Sequence, residues 1–323
     1  MSFNKMTTQK DLNSIKNKIR ELKKKRRAVI LVHNYQLPEV QDIADFRGDS
    51  LELSRQAAKT DAEVIIFCGV HFMAETASIL SPCKKVIMPD VLAGCPMAKM
   101  ITAQDLKNLK ERYPGAVTVG YVNTSAEVKA ELDVCCTSTN AVAVVKAILD
   151  DARCGGKAFG GSEDIIFVPD KYLADYVTKQ TGKKLIVWEG LCPTHVRITA
   201  EDIKREKKFH PHAKVVVHPE CMPGVVALAD AALSTSMICK FARQTSAKEI
   251  VVGTEVGLIY RLKKDNPGKE FYPASEAAVC PNMKRTTQEK VLWALEELKG
   301  EVKVADDVRR RARGAIEKML EIL

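Results

Sequence analysis

The sequence contains no run of eighteen or more uncharged apolar residues, so a bilayer-crossing helix and a membrane partner are not expected. Its opening residues, MSFNKMTTQKDLNSIK, lack the apolar core and small-residue cleavage site of a secretory signal, and the chain is expected to be cytoplasmic. Aromatic residues make up only 6%, too few for a basic groove on which single-stranded bases stack. The net charge of +9, from 50 Lys and Arg against 41 Asp and Glu, is therefore read as attraction for small anions, with no nucleic acid bound. Its densest run, Lys23 to Arg27, closes a predicted helix, where cations offset the negative end of the dipole. No G-x-x-x-x-G-K-[ST] run is present, which argues against an NTPase. Close CxxC pairs, the usual mark of structural zinc, are missing too.

What is present is a chain of 323 residues, 46% apolar and 28% charged. That excludes disorder and leaves room for two or three domains with their own cores. Ten cysteines in such a chain are not a disulfide framework; some are expected to be metal ligands and the rest core.

The strongest internal signal is a repeat. CPMAKMITAQDLKNLKERYPGAVTV, from Cys95, aligns almost without gaps with CPTHVRITAEDIKREKKFHPHAKVVV, from Cys192. CPNMKRTTQEKVLWALEELKGEVKV, from Cys280, reads as a third copy, one residue shorter before its threonine. Each copy carries a capping-box pattern that starts a helix: Thr102 with Asp105, Thr199 with Asp202, Thr286 with Glu289. A fourth start, Thr8 with Asp11, opens the chain, and Leu12, Ile15, Ile19 and Leu22 then share one helix face.

After the first three helices come short Val- and Ile-rich runs: AVILVHNY and VIIFCGVHF, then AVTVGYVNT and IIFVPDKYL, then KVVVHPEC and EIVVGTEVG. Near-continuous apolar strands alternating with helices indicate parallel sheets covered on both faces. The expected fold class is α/β, with three pseudo-symmetric three-layer αβα domains around a central site. The expected units are 1–98, 99–195 and 196–280, with 281–323 packing back on the first.

Each unit ends in Cys-Pro, at Cys95, Cys192 and Cys280. Thirteen prolines and ten cysteines make three such pairs at matched positions far more than chance. Proline stiffens the turn and is familiar after cluster cysteines. Three thiolates from three equivalent units suit a 4Fe-4S cubane with one open iron, or a tetrahedral zinc; the alternative is three core cysteines repeated by duplication. Cys68, Cys135, Cys136 and Cys239 read as small core residues, Cys83 and Cys154 as loop thiols, and Cys221 as a neighbour of the site.

Chemistry in parallel sheets collects beyond the carboxyl ends of strands. Those ends carry His33, Asn34 and Tyr35; Asp49 and Ser50; Tyr121 and Asn123; Ser138 and Thr139; His218 and Glu220; Ser234, Thr235 and Ser236. One shared polar site is expected.

HNYQLPEVQDIAD, GCPMA, GYVNTSAEVKA, TSTNA, GLCPTHV, HPEC and CPNMK, in this order along nearly the full chain, together resemble the quinolinate synthase family. The resemblance implies three α/β domains around one 4Fe-4S cluster held by Cys95, Cys192 and Cys280. It implies a transferase of NAD biosynthesis that condenses iminoaspartate with dihydroxyacetone phosphate to quinolinate, losing phosphate and two waters, with possible coupling to an aspartate-oxidising enzyme. Carried over, His33, Tyr35, Tyr121, His195 and Glu220 are catalytic. His33, Ser50, Tyr121, Asn123, Ser138, Thr139, His218, Glu220 and Thr235 bind substrate, and Ser234 is a less distinctive match. The single cysteine of CPNMK departs from relatives with further cysteines there, so no regulatory disulfide is expected. The rival readings are an iron-sulfur hydro-lyase of another small carboxylic acid and a non-catalytic iron-sulfur sensor.

Overall fold

The computed structural model describes residues 9–156 and 158–322, with side chains from residue 13 onward. Twelve strands form three four-stranded sheets. The first holds β1 (Ala28–His33), β2 (Phe46–Gly48), β3 (Val64–Cys68) and β4 (Lys85–Ile87). The second holds β5 (Val117–Tyr121), β6 (Val134–Cys136), β7 (Ile165–Val168) and β8 (Ile186–Val187). The third holds β9 (Lys214–Val217), β10 (Ala231–Ala232), β11 (Glu249–Gly253) and β12 (Glu270–Pro273). Every pairing is parallel, and the spatial order repeats as β2-β1-β3-β4, β6-β5-β7-β8 and β10-β9-β11-β12. The central strands are buried almost end to end, as their unbroken Val and Ile runs require. The α/β class expected from the sequence is the one found.

Helices cover both faces. Thr102 with Asp105 and Thr199 with Asp202 form complete capping boxes at Ala103–Arg112 and Ala200–Phe209. The third start differs from the sequence reading: Thr287, not Thr286, caps Gln288–Glu297, and Lys290 occupies the third helical position. Counted from the cysteine, Thr287 is the true equivalent of Thr102 and Thr199, so the copy is not shorter. Lys290 has no carboxylate to reach back with, and instead pairs with Asp90 at 2.7 Å. The Thr8–Asp11 start and the Leu12 side chain lie outside the described residues. Ile19, with the partly buried Ile15 and Leu22, packs against Ile30, Val32 and Leu295. Arg26 of the basic run donates to the last carbonyls of Gln288–Glu297, at Leu295 and Glu296.

The helix that follows each Cys-Pro turn lies on the next sheet's unit. Ala103–Arg112 meets Ala126–Lys129, Ala200–Phe209 meets β11, and Gln288–Glu297 meets β3 and Gln9–Lys25. The last helix, Asp306–Glu321, corrects the expectation that all of 281–323 packs on the first unit. It lies on β6 and Ala126–Lys129 of the second and bridges to His71–Leu80 of the first, burying Ala312, Ala315, Ile316 and Met319. Among the described residues no helix is long and apolar enough to cross a membrane.

One glycine is fixed by close approach. A Cβ at Gly120, in β5 beside the site, would stand 1.9 Å from Leu132 Cδ1. G120A is expected to lower stability by about 1–3 kcal/mol through overpacking, read as a lower urea midpoint at unchanged slope.

Candidate active site

In each sheet the first strand is flanked by strands whose connections leave in opposite directions, which opens a crevice at its carboxyl end. The same two positions project there from all three: His33 and Tyr35 at the end of β1, Tyr121 and Asn123 at the end of β5, His218 and Glu220 at the end of β9. The segments after the second strands bring Ser50 and Thr235, each the first residue of a helix, and Ser138, in the turn before Ala141–Arg153. All nine line one cavity of about 240 Å³, together with Cys95, Cys192, Cys280 and His195. Thr139 is not part of its wall. Its hydroxyl lies 2.8 Å from both Asp49 Oδ2 and Ser234 Oγ, joining the three units where they meet. Ser234 caps Thr235–Gln244 and also stays out of the wall.

A buried relay links the two tyrosines. The Tyr121 hydroxyl donates to Glu220 Oε1, and Glu220 Oε2 lies 2.8 Å from His195 Nδ1. His195 Nε2 is 2.9 Å from Thr254 Oγ1, which is 2.5 Å from the Tyr35 hydroxyl. Burial pushes the Glu220 carboxyl up, but His195 and His218, with the hydrogen bonds from His195 and Tyr121, hold it well below the usual carboxylate range. Burial, then the Glu220 charge, raises Tyr35 and Tyr121 well above the ordinary phenol. Glu220 is thus ionised while both phenols keep their protons.

Burial also lowers His33 and His218 to about 3, so both are neutral near pH 7. Each accepts at Nδ1 from the backbone N–H two residues on, Tyr35 at 3.2 Å and Glu220 at 3.3 Å, which puts the ring proton on Nε2. That of His218 faces Ser138 Oγ at 3.1 Å; Ser138 therefore accepts, and its own proton is free for a ligand. The ordinary value is 6.5, so as pH falls from 6.5 toward 3 the unfolded chain takes up protons that the folded one refuses. Stability is expected to drop over that window by about 1.4 kcal/mol per pH unit for each histidine, with the depressed Glu220 acting in the same direction at its acid end. Urea unfolding at pH 7, 6, 5 and 4 measures it.

The three cysteines share one local design. The backbone N–H groups two and three residues on point at each sulfur: Met97 and Ala98 at Cys95, Thr194 and His195 at Cys192, Asn282 and Met283 at Cys280. Short 3-10 turns at Met97–Lys99, His195–Arg197 and Met283–Arg285 set these angles. Burial pushes Cys95 up to about 12 and raises the other two. Donors aimed at three sulfurs that share one cavity fit thiolates neutralised by a metal group. Cys192 Sγ, a ring nitrogen of His195 and a Glu220 oxygen lie within 4.8 Å of one another, which sets the relay beside a thiol. All ten cysteines are free; Cys68, Cys135, Cys136 and Cys239 are buried, and Cys83 and Cys154 are exposed. Cys221 is buried, with its thiol toward the Gly253 carbonyl at 3.4 Å, and does not line the cavity.

Several residues of the site escaped the sequence reading. Thr254 joins His195 to Tyr35. Glu255, fully buried, accepts from the Cys280 N–H at 3.1 Å and pairs with Lys284 at 2.9 Å, and Lys284 donates to the Tyr35 carbonyl at 2.5 Å. Asp170 stands at the matching place after β7 and caps Lys171–Thr181. Acids following the third strand in VPDKY and GTEVG are a repeat signal that was there to be read.

The fold and the site together define an α/β enzyme of three repeated parallel-sheet units, with a three-thiol centre compatible with a metal cofactor. The family model described as Quinolinate synthetase A protein matches residues 17–321. The chain belongs to the quinolinate synthase family. It is 55% identical over 309 residues to the quinolinate synthase of Dehalococcoides mccartyi strain CBDB1, covering 96% of this chain and 98% of that one. It is 54% identical over 313 residues to that of Thermodesulfovibrio yellowstonii, covering 97% and 99%. Quinolinate synthase 1 of Methanosarcina acetivorans is 50% identical over 305 residues, covering 94% and 96%.

Proposed function

We propose that this enzyme condenses iminoaspartate with dihydroxyacetone phosphate to quinolinate, releasing phosphate and two waters, as a transferase of NAD biosynthesis in the cytoplasm. One observation carries the reading: a single cavity holds the three thiols, a set of hydroxyl donors and a relay with an ionised acid between two phenols. Cys95, Cys192 and Cys280 would hold a 4Fe-4S cluster, one per chain. When bound, such a cluster with three protein ligands supplies an iron with an open position, a Lewis acid for an oxygen function of the substrate.

The chain's own residues do the rest. Ser50, Ser138 and Thr235 donate to phosphate or carboxylate oxygens, and neutral His33 offers its Nε2 proton to the same ligand. Asn123 Oδ1 is buried without a protein partner among the described residues, and accepts an N–H of the substrate. Each loss of water needs one proton removed from carbon and one delivered to the leaving hydroxyl. Glu220 takes the first; Tyr121, hydrogen-bonded to it, and Tyr35, reached through His195 and Thr254, hold protons for delivery. His218, stacked on His195 at 4.6 Å, orients Ser138 and the relay together. The three domains are taken as 1–98, 99–195 and 196–280, each contributing one thiol. Because an imine hydrolyses readily, an aspartate-oxidising enzyme must supply it close by.

Anaerobic purification followed by iron and sulfide analysis, then assay with dihydroxyacetone phosphate and freshly generated iminoaspartate, tests the reading. About four irons and four sulfides per chain, with quinolinate and phosphate formed, are expected. A full cluster without either product would move the assignment to a hydro-lyase or a sensor.

A further inference from the structure

Asn34 is the middle residue of the segment after β1. Its neighbours His33 and Tyr35 line the cavity; Asn34 does not, and it is fully buried. Its amide has one possible orientation. Arg261, which can only donate, gives an Nη1 proton to Asn34 Oδ1, so the amide nitrogen must point the other way. There it lies 2.9 Å from Thr235 Oγ1. An amide NH2 cannot accept, so the Thr235 oxygen does, and the hydroxyl proton must go elsewhere. Thr235 is on the cavity wall at the first position of Thr235–Gln244, and its hydroxyl has no other protein partner among the described residues.

We propose that Asn34 and Arg261 are positioning residues that make Thr235 an obligate hydrogen-bond donor toward the phosphate of the substrate, without touching it. This rests on the phosphate-ester reading above. Its physical sense lies in the charge of the cavity. Arg197 is the only Lys or Arg on the wall among the described residues, and the ionised Glu220 shares the space. A hydroxyl free to rotate loses orientational freedom when it donates to an anion. One whose oxygen already accepts from Asn34 has its proton turned away from that side before the anion arrives. The same polarity is imposed on Ser138 by His218, through an independent route and from another unit.

Inorganic phosphate, a product, is the probe, titrated by calorimetry into the anaerobic holoenzyme, alongside the KM for dihydroxyacetone phosphate. N34D keeps the shape and still accepts from Arg261, but presents Thr235 with an acceptor, so the hydroxyl turns out of the cavity. Phosphate Kd and KM are expected to rise together by about 10- to 100-fold, the range for a hydrogen bond to a charged group, with a smaller change in kcat. T235V should match this, T235S should bind as wild type, and the N34D/T235V double variant should be no weaker than T235V.

A loss that persists when N34D is added to T235V would mean that the new carboxylate repels the anion directly, and would overturn the relay. Wild-type phosphate affinity in N34D or in T235V would overturn it as well. Should N34D not fold, R261M, which frees the Asn34 amide to rotate, is expected to weaken phosphate severalfold, and unchanged affinity in it would count against the proposal equally. A wild-type protein that binds phosphate but makes no quinolinate would remove the proposed reaction and leave the relay to these affinities alone.

Discussion

Glu220→Gln is expected to lower kcat by about 10³-fold, within the range for a lost general base or acid, while iron and sulfide per chain stay at the wild-type level. The amide can still accept from Tyr121, so the packing of this fully enclosed side chain is little disturbed. What it loses is charge and the ability to take a proton. Glu220 is buried and its carboxyl is held well below the usual range, so at neutral pH it is fully ionised and able to take a proton. Gln also releases His195 from a negative partner at 2.8 Å, so the link through Thr254 to Tyr35 is weakened in the same step. Anaerobic turnover with parallel iron and sulfide analysis measures both halves; wild-type rates in E220Q would end the role assigned to this residue.

The second large effect is on the metal group. Cys95→Ala, Cys192→Ala and Cys280→Ala are each expected to purify with little or no iron and sulfide, and to make no detectable quinolinate. In each case two backbone N–H groups lose the sulfur they address, and a three-ligand set falls to two. Cys68→Ala is the control: Cys68 lies wholly within β3, and burial alone raises its thiol, so the iron content should be unchanged. Any one of the first three variants that kept an intact, active cluster would remove the ligand assignment.

The architecture was legible because it is written in periodic signals. Val and Ile runs marked the central strands, threonine-acid pairs marked two helix starts, and Cys-Pro marked the three turns. The candidate wall residues were legible for a related reason: the repeat placed a polar pair two residues apart at the end of every first strand. What could not be read were the partners. Thr254 meets Tyr35 across 219 positions and Asn34 meets Thr235 across 201, and no local pattern announces such a contact. The contacts of Thr139 with Asp49 and Ser234 were equally hidden, because a hydroxyl near a strand end looks the same whether it faces a ligand or a neighbouring unit. The Thr286 start failed by one residue where two threonines adjoin, and only the distance from Cys280 chose between them.

The order in which helices cover sheets has a consequence for how this chain can be cut. Each Cys-Pro turn hands its following helix to the next unit, and the third hands Gln288–Glu297 back to the first, beside Gln9–Lys25. The three units therefore close into a ring, because the first sheet is covered by Gln288–Glu297, a helix from the far end of the chain. An excised first unit, 1–98, would lose the helix Gln288–Glu297 that packs on β3 and Gln9–Lys25. Cooperativity should accordingly reside in the whole circle, with the thiols brought together only once the last helix has been returned.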